Sequence, residues 1–133
     1  MSELAERWLS FARDDLRVAE LVLDECIYHQ ACFHAQQCVE KALKGLLVGF
    51  GFQPPKLHAI TDLLNLLPPD FAAELPDELG GLDDYYIPTR YPDALPGTLP
   101  DGLPERAEAE KAVASARTVL DRAANKLGLN TLT

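Results

Sequence analysis

The sequence predicts an all-α fold, an up-and-down helical bundle of three long and one or two short helices. Apolar residues recur at steps of three and four in three long segments, proline and glycine separate these segments, and no run alternates like a β-strand. The 133 residues, 47% of them hydrophobic and 25% charged, are typical of one globular domain. We therefore expect residues 1–133 to form a single domain.

The long helices are predicted over Leu4–Ile27, from about His29 to Gly49, and from near Pro104 to about Leu127. Gly49 and Gly128 are suitable stop signals for the second and third of them. Because the connection between the first two is short, they should be antiparallel neighbours. The apolar stripe of the first helix comprises Leu4, Trp8, Phe11, Ala12, Leu16, Ala19, Val22, Leu23 and Cys26.

The middle of the chain should hold the short helices. After Pro54-Pro55, Thr61 is a suitable N-cap for a helix that runs through Leu67, and a further short helix is expected between Asp70 and Tyr86. The stretch from Ile87 to Pro104 is rich in proline and glycine, which indicates a long loop.

The net charge of −9 is concentrated in one segment. Between Pro68 and Glu105 there are nine acidic residues and a single cation, Arg90, a balance of −8. A broad nucleic-acid surface needs clustered Lys and Arg to displace counterions, and the chain has no such cluster. Contact with a nucleotide would therefore be local, at one or two cations.

Several other classes of function are not indicated. Cys26, Cys32 and Cys38 lie six residues apart, so on a helix they face different directions and cannot converge on a metal; we expect buried structural thiols. No metal site and no cofactor are predicted. No apolar run approaches the roughly 18 residues of a membrane span, and the N-terminus resembles no targeting signal, so we expect a cytoplasmic protein.

The second helix carries a line of polar residues at steps of four and three, which places them on one face: Gln30, His34, Gln37, Lys41 and Lys44. A solvated stripe is the simpler interpretation. Because apolar residues flank the line, and because His and Gln are unusual on a purely solvated face, the line is also suited to a cleft or a subunit interface.

A second polar motif, Asp83–Asp93, contains three tyrosines and Arg90. A guanidinium can bind phosphate or carboxylate in a bidentate manner. Alternatively, Arg90 makes an internal salt bridge to Asp84 or Asp93. Both interpretations stay open.

Three stretches in this order, Ala31–Leu47, Pro55–Leu64 and Tyr86–Asp93, resemble the HEPN (higher eukaryotes and prokaryotes nucleotide-binding) family. The resemblance implies a helical bundle, commonly a homodimer, that is often the partner of a minimal nucleotidyltransferase. His58 matches a position that the family favours, although a structural hydrogen bond is a competing role. The candidate ligand-binding residues are His34, Gln37, Lys41, Lys44, His58, Tyr86, Arg90 and Asp93.

Many members of this family are ribonucleases, in which a His follows an Arg by four to six residues. The corresponding Arg here is Arg90, and no histidine follows it, since His29, His34 and His58 all precede it. The chain thus lacks that motif and its acid–base group. The resemblance therefore implies a member that is not a ribonuclease, without catalytic residues.

Three hypotheses follow. The first is a binding module, in which a nucleotide or a nucleotidyltransferase docks on a face formed by His34, Gln37, Lys41 and Arg90. The second is a divergent ribonuclease that uses Arg90 with His34 or His58. The third is a homodimeric interaction protein in which the polar line only shapes an interface.

Overall fold

The three long helices form where the apolar periodicity predicts them. The computed structural model describes residues 3–86 and 103–129. In it α1 spans Glu3–Asp24, α2 spans Tyr28–Gly49, and α5 spans Arg106–Leu127. The predicted all-α bundle is confirmed, and no strand occurs within the described ranges.

α1 and α2 are antiparallel neighbours, as the short connection predicts. α1 ends at Asp24, and Cys26 then adopts a left-handed backbone conformation (φ 64°) in the turn. Gly45, near the end of α2, lies against Leu9 near the start of α1. The missing side chain of Gly45 lets the two helices approach closely.

α5 runs parallel to α2 and antiparallel to α1. The Cys38 thiol donates to the Ala116 carbonyl at 3.9 Å, and Gly49 lies against Leu127. At the other side, Arg117 of α5 contacts Glu20 of α1. The up-and-down order therefore holds for α1 and α2 only. The long stretch between α2 and α5 returns the chain to the end of the bundle at which α2 begins, so α5 runs in the same direction as α2.

In the described part of the stretch between Gly49 and Arg106 there are three short helical segments, one more than predicted: α3 (Ile60–Leu64), α4 (Pro69–Ala72) and a 3₁₀ helix (Leu79–Tyr85). Pro69 occupies the start of α4, where its missing N–H costs nothing. Most of the predicted loop from Ile87 to Pro104 lies outside the described residues.

The prediction that Thr61 caps a helix is wrong. The N-cap of α3 is Ala59, which offers no side-chain acceptor. Instead, the carboxylate of Asp83, from the 3₁₀ helix, accepts the backbone N–H groups of Ile60 (2.6 Å) and Thr61 (3.2 Å) and the Thr61 hydroxyl (3.1 Å). A charged acceptor from a distant segment replaces the local cap.

α2 is the central helix, because it packs against α1, α3, the 3₁₀ helix and α5. Small residues on its inner side, such as Ala31, Ala35 and Ala42, are fully buried and allow this close packing. Among the described helices, none is long and apolar enough to cross a membrane. The cytoplasmic location stays a prediction.

The cysteines separate into two groups. Cys32 and Cys38 are buried in the core, as predicted. Cys26 is exposed, so the prediction that this thiol is buried is wrong. The reason is that α1 ends before Cys26 and the turn points its side chain away from the core. There it accepts a hydrogen bond from the Arg106 guanidinium at 3.1 Å. Within the described part of the chain, no cluster of His, Cys, Asp or Glu is suited to a metal ion.

Candidate functional site

The candidate site is the polar side of α2, which α1 covers at one edge and the segment before α3 covers at the other. We call it the α2 polar face, defined by His34, Gln36, Gln37, Glu40, Lys41 and Lys44. Positions 34, 37, 41 and 44 follow each other at steps of three or four residues, and so do positions 36, 40 and 44. The six side chains therefore lie on one continuous arc of the helix. Two carboxylates organise the face, one from α1 and one from α2 itself.

The first carboxylate is Asp15 of α1. It lies 2.6 Å from the Lys41 ammonium and 3.2 Å from Nδ1 of His34. Burial by itself would raise the pKa of Asp15, but the hydrogen bonds from His34 and Lys41 and the positive charge of Lys41 outweigh it, so the pKa lies below its ordinary value. Asp15 thus joins α1 to α2 as a stable anion.

The second carboxylate is Glu40, which is only 5% exposed. It accepts hydrogen bonds from the Lys44 ammonium at 2.9 Å and from the Gln36 amide at 3.4 Å, and it lies 3.1 Å from Nδ1 of His58. Lys44 is equally buried, so the pair carries no net charge into the interior. Such a pair requires both partners, because either one alone would be an uncompensated buried charge.

Gln36 and Gln37 link the buried and the outer parts of the face. The Gln37 amide donates to Gln36 Oε1 at 2.7 Å, and the Gln36 amide also reaches the His58 carbonyl at 3.5 Å. Gln36 is fully buried and therefore needs these partners. The result is a hydrogen-bond chain from Gln37 to His58.

His58 is the most exposed member of the site, with 58% of its side chain open to solvent. Because a carboxylate only accepts, the contact with Glu40 places the hydrogen on Nδ1 and leaves Nε2 unused within that contact. The ring also stacks on Tyr86, with centroids 5.6 Å apart and planes 16° from parallel. Three contacts therefore fix His58: the carboxylate, the Gln36 amide and the Tyr86 ring.

Trp8 of α1 completes the inner edge. The Lys44 ammonium lies 5.5 Å from the centroid of its ring, which favours the positive charge. The indole N–H of Trp8 is buried, with no hydrogen-bond partner within the described part of the chain.

Six of the eight predicted residues fall within the described ranges, and the structure divides them into two neighbouring groups. His34 and Lys41 belong to the Asp15 group, while Lys44, His58 and Tyr86 belong to the Glu40 group. Gln37 lies between them. Arg90 and Asp93 lie outside the described residues. Whether any of the eight binds a ligand stays a prediction.

Sequence reasoning missed Asp15, Gln36 and Glu40 as members of the site. A signal for Glu40 was present, because it stands four residues after Gln36 and four before Lys44, the spacing of helical side-chain pairs. Asp15 gave a weaker signal, an acid beside the apolar stripe of α1. Its partners on α2 are only visible once the two helices are aligned.

The geometry decides what this face can do chemically. Both lysines already lie within 3 Å of a carboxylate, so an incoming phosphate would have to displace an internal partner. The groups open to a ligand are the imidazole of His58, the amide of Gln37 and the ring of Tyr86. The face is thus half-buried and internally satisfied, with an oriented polar edge at His58.

The sequence profile described as HEPN domain matches residues 5–127 of this chain. Two solved structures are similar over nearly its whole length: TT1696 from Thermus thermophilus (41% identity, TM-score 0.78, 94% of this chain and 99% of that one) and ST0689, an archaeal HEPN homologue (31%, TM-score 0.72, 95% and 99%). A Methanocaldococcus jannaschii protein named "Putative toxin MJ1304" is 28% identical over 136 residues, covering 88% of this chain and 84% of that protein.

Proposed function

The chain belongs to the HEPN domain family, and from this premise we propose that it is a non-ribonuclease binding module that takes a nucleotide and associates with a minimal nucleotidyltransferase. The observation that carries the proposal is His58, an exposed imidazole that Glu40, Gln36 and Tyr86 hold in one orientation. A polar group held in this way is preorganised, so a ligand does not have to order it on binding. The sequence adds a second support, since no histidine follows Arg90.

The electrostatics of the face favour binding of a small ligand or a protein over binding of a long nucleic acid. Lys41 and Lys44 are neutralised by Asp15 and Glu40. The chain as a whole carries −9, which repels polyanions. Arg90 is the cation that we expect to supply the local contact with a phosphate.

A thermal-shift panel of nucleoside triphosphates on wild type and Arg90→Ala tests the nucleotide part of the proposal. A ligand that binds only the folded state raises the apparent melting temperature by mass action. We expect a shift in wild type that is reduced in Arg90→Ala and retained in Arg122→Ala, which changes an exposed arginine near the C-terminal end of α5. No shift with any nucleotide would refute nucleotide binding.

Co-expression with a minimal nucleotidyltransferase tests the partner part of the proposal. The two proteins should elute together, and Gln37→Glu, which adds a charge to the polar edge, should weaken the complex. Separate elution of the wild-type chain and the transferase would refute the association.

A second candidate, a divergent ribonuclease, is favoured by one geometric feature. The bond from His58 Nδ1 to Glu40 leaves Nε2 as a proton acceptor, the arrangement of a general base. The similarity to a protein named as a toxin is consistent with this activity. RNA cleavage should then be lost in His58→Gln and in Arg90→Ala but kept in His29→Gln. Cleavage that persists in both variants would indicate a contaminating nuclease.

A homodimer is the oligomeric state that we propose. α1 exposes Leu4, Phe11 and Val18, which are 42%, 54% and 37% exposed and follow each other at seven-residue spacing. This line runs beside Asp15, and therefore beside the α2 polar face. Exposed apolar residues in a contiguous line are typical of an interaction surface.

A further inference from the structure

A small cleft lies beside the stacked rings of His58 and Tyr86. It has a volume of about 120 Å³ and is lined by His58, Ala59, Asp83 and Tyr86. Its described lining therefore offers two rings and one carboxylate for binding.

The rings offer a preformed stacking surface. Tyr86 supports one face of the imidazole, and the side chain of His58 is still 58% exposed. The contact with Glu40 restricts rotation of the imidazole, and the Gln36 amide holds the backbone carbonyl of His58. A flat aromatic ligand can stack on such a surface without ordering it first.

The carboxylate of Asp83 makes the cleft favour ligands that carry a hydrogen-bond donor. Among the described residues, Oδ2 accepts two hydrogen bonds, from the backbone and hydroxyl of Thr61, whereas Oδ1 accepts one, from the Ile60 backbone. A carboxylate oxygen accepts two bonds readily, so Oδ1 has capacity for one further donor. A negative acceptor repels phosphate and attracts an N–H group.

We propose that this cleft binds the base of a nucleotide, and that the base carries an exocyclic amino group, as adenine does. The base stacks on His58, and its amino group donates to Asp83. This inference rests on the proposed nucleotide binding and adds to it, because it assigns the base to the His58–Tyr86 edge.

Calorimetric titrations with adenosine, purine riboside and ribose 5-phosphate on the wild-type chain provide the test. Purine riboside has a hydrogen in place of the amino group of adenosine and no ring N–H that could replace it as a donor, and ribose 5-phosphate has no base. We expect adenosine to bind at least about tenfold more tightly than purine riboside, because the Asp83 carboxylate, once covered by the bound base, would be left without its donor. Ribose 5-phosphate should bind more weakly than adenosine.

Variants of the rings complete the experiment. Tyr86→Ala and His58→Gln should each weaken adenosine about tenfold, the usual effect of losing one stacking partner. Tyr86→Phe, which keeps the ring, and His29→Gln, which changes a histidine elsewhere, should bind like wild type. Circular dichroism of each variant establishes that the bundle is still folded.

The outcomes separate the two proposals. If nucleoside triphosphates leave the wild-type chain unaffected in the thermal-shift panel, the proposed nucleotide function is refuted, and this inference with it. If triphosphates bind but adenosine and purine riboside bind equally, or Tyr86→Ala binds adenosine like wild type, the base lies elsewhere. In that case only the present inference is overturned.

Discussion

At the scale of single residues, the polar side chains of α2 are matched to one another before any ligand arrives. Lys44 and Glu40 are 4% and 5% exposed and contact each other at 2.9 Å. A buried charge that loses its partner costs much more than the pair contributes when both partners are present. The first role of Lys41 and Lys44, the two lysines of the predicted site, is therefore to stabilise the fold through their carboxylate partners.

Lys44→Met should lower the free energy of unfolding by about 3–5 kcal/mol, because it leaves the Glu40 carboxylate buried without a counter-charge. Urea unfolding monitored by circular dichroism measures this value. Lys56→Met, at an exposed position, is the control and should change stability by less than about 0.5 kcal/mol. The double variant Glu40→Leu/Lys44→Met should recover most of the loss. Equal effects of Lys44→Met and Lys56→Met would contradict the assignment.

Asp15 makes the free energy of unfolding depend on pH in the acidic range. Its folded-state pKa is lowered from the ordinary value of 3.8, so the unfolded chain takes up its proton first. The contribution of Asp15 is complete above pH 3.8 and is lost as the pH falls through the lower, folded-state pKa. The stability difference between wild type and Asp15→Asn should therefore shrink as the pH falls below 3.8. Urea midpoints at each pH measure this difference, and a difference that grows below pH 3.8 would refute the argument.

The three thiols should differ in reactivity. Burial raises the pKa of the Cys32 thiol to about 12 and raises the pKa of Cys38 still further, and both side chains are fully enclosed. Since the thiolate is the reactive form, a disulfide reagent should label only the exposed Cys26 rapidly in the native chain. Chromogenic thiol titration should give one fast thiol, none in Cys26→Ser, and all three after denaturation. Three equally fast thiols in the native chain would contradict the burial.

Single residues show how much of the candidate site could be predicted from the sequence. The spacing of His34, Gln37, Lys41 and Lys44 placed them on one face, and the structure agrees. The sequence did not reveal that Asp15 and Glu40 neutralise the lysines, because those contacts depend on which helices meet and at what height. A periodic pattern predicts a face of a helix, while the partners of that face come from tertiary packing.

At the scale of elements, the contact between α1 and α2 is controlled by a glycine. A Cβ at Gly45 would come within 2.9 Å of Leu9 Cδ2, 3.2 Å of Trp8 Cβ and 3.3 Å of the Ala5 carbonyl. The last two atoms are attached directly to the backbone and can move only if the helix moves. Close approach of α1 also brings Asp15 to within reach of Lys41.

Gly45→Ala should destabilise the protein by about 1–3 kcal/mol, although alanine favours helices by about 1 kcal/mol, because overpacking forces the two helices apart. Gly81→Ala is the matched control, since a Cβ there meets nothing within 4 Å. Chemical unfolding of both variants provides the measurement. A Gly45→Ala variant that is more stable than wild type would refute the close packing.

The short elements show where local sequence rules are insufficient. Thr61 has the right residue type for an N-cap, yet Asp83 performs that role from another segment. Likewise, the helix predicted to run through Leu67 ends at Leu64, and Pro69 starts the next helix. Periodicity over 22 residues overrides such ambiguity in the long helices, whereas segments of four to seven residues depend on tertiary contacts.

At the scale of the whole molecule, the fold class follows from the sequence because three amphipathic helices with small inner residues can bury their stripes only against each other. The direction of α5 relative to α2 does not follow, since it depends on how the long connection crosses the bundle. The same separation holds for function. Family membership and the absence of a histidine after Arg90 are sequence properties, whereas the pairing of each lysine and the cleft at His58 are properties of packing.

Self-association of the chain should depend on the apolar line on α1. Phe11 is the most exposed residue of the apolar line on α1, at 54%. If this line forms the homodimer interface, Phe11→Glu places a charge in it and should convert the protein to a monomer, because a charge buried at an interface without a partner costs several kcal/mol. Leu103→Glu, at a residue 56% exposed before α5, is the matched control and should leave the dimer intact. Light scattering at micromolar concentration distinguishes the two states. A wild-type monomer would refute the dimer, while a dimer that persists in Phe11→Glu would place the interface on another surface.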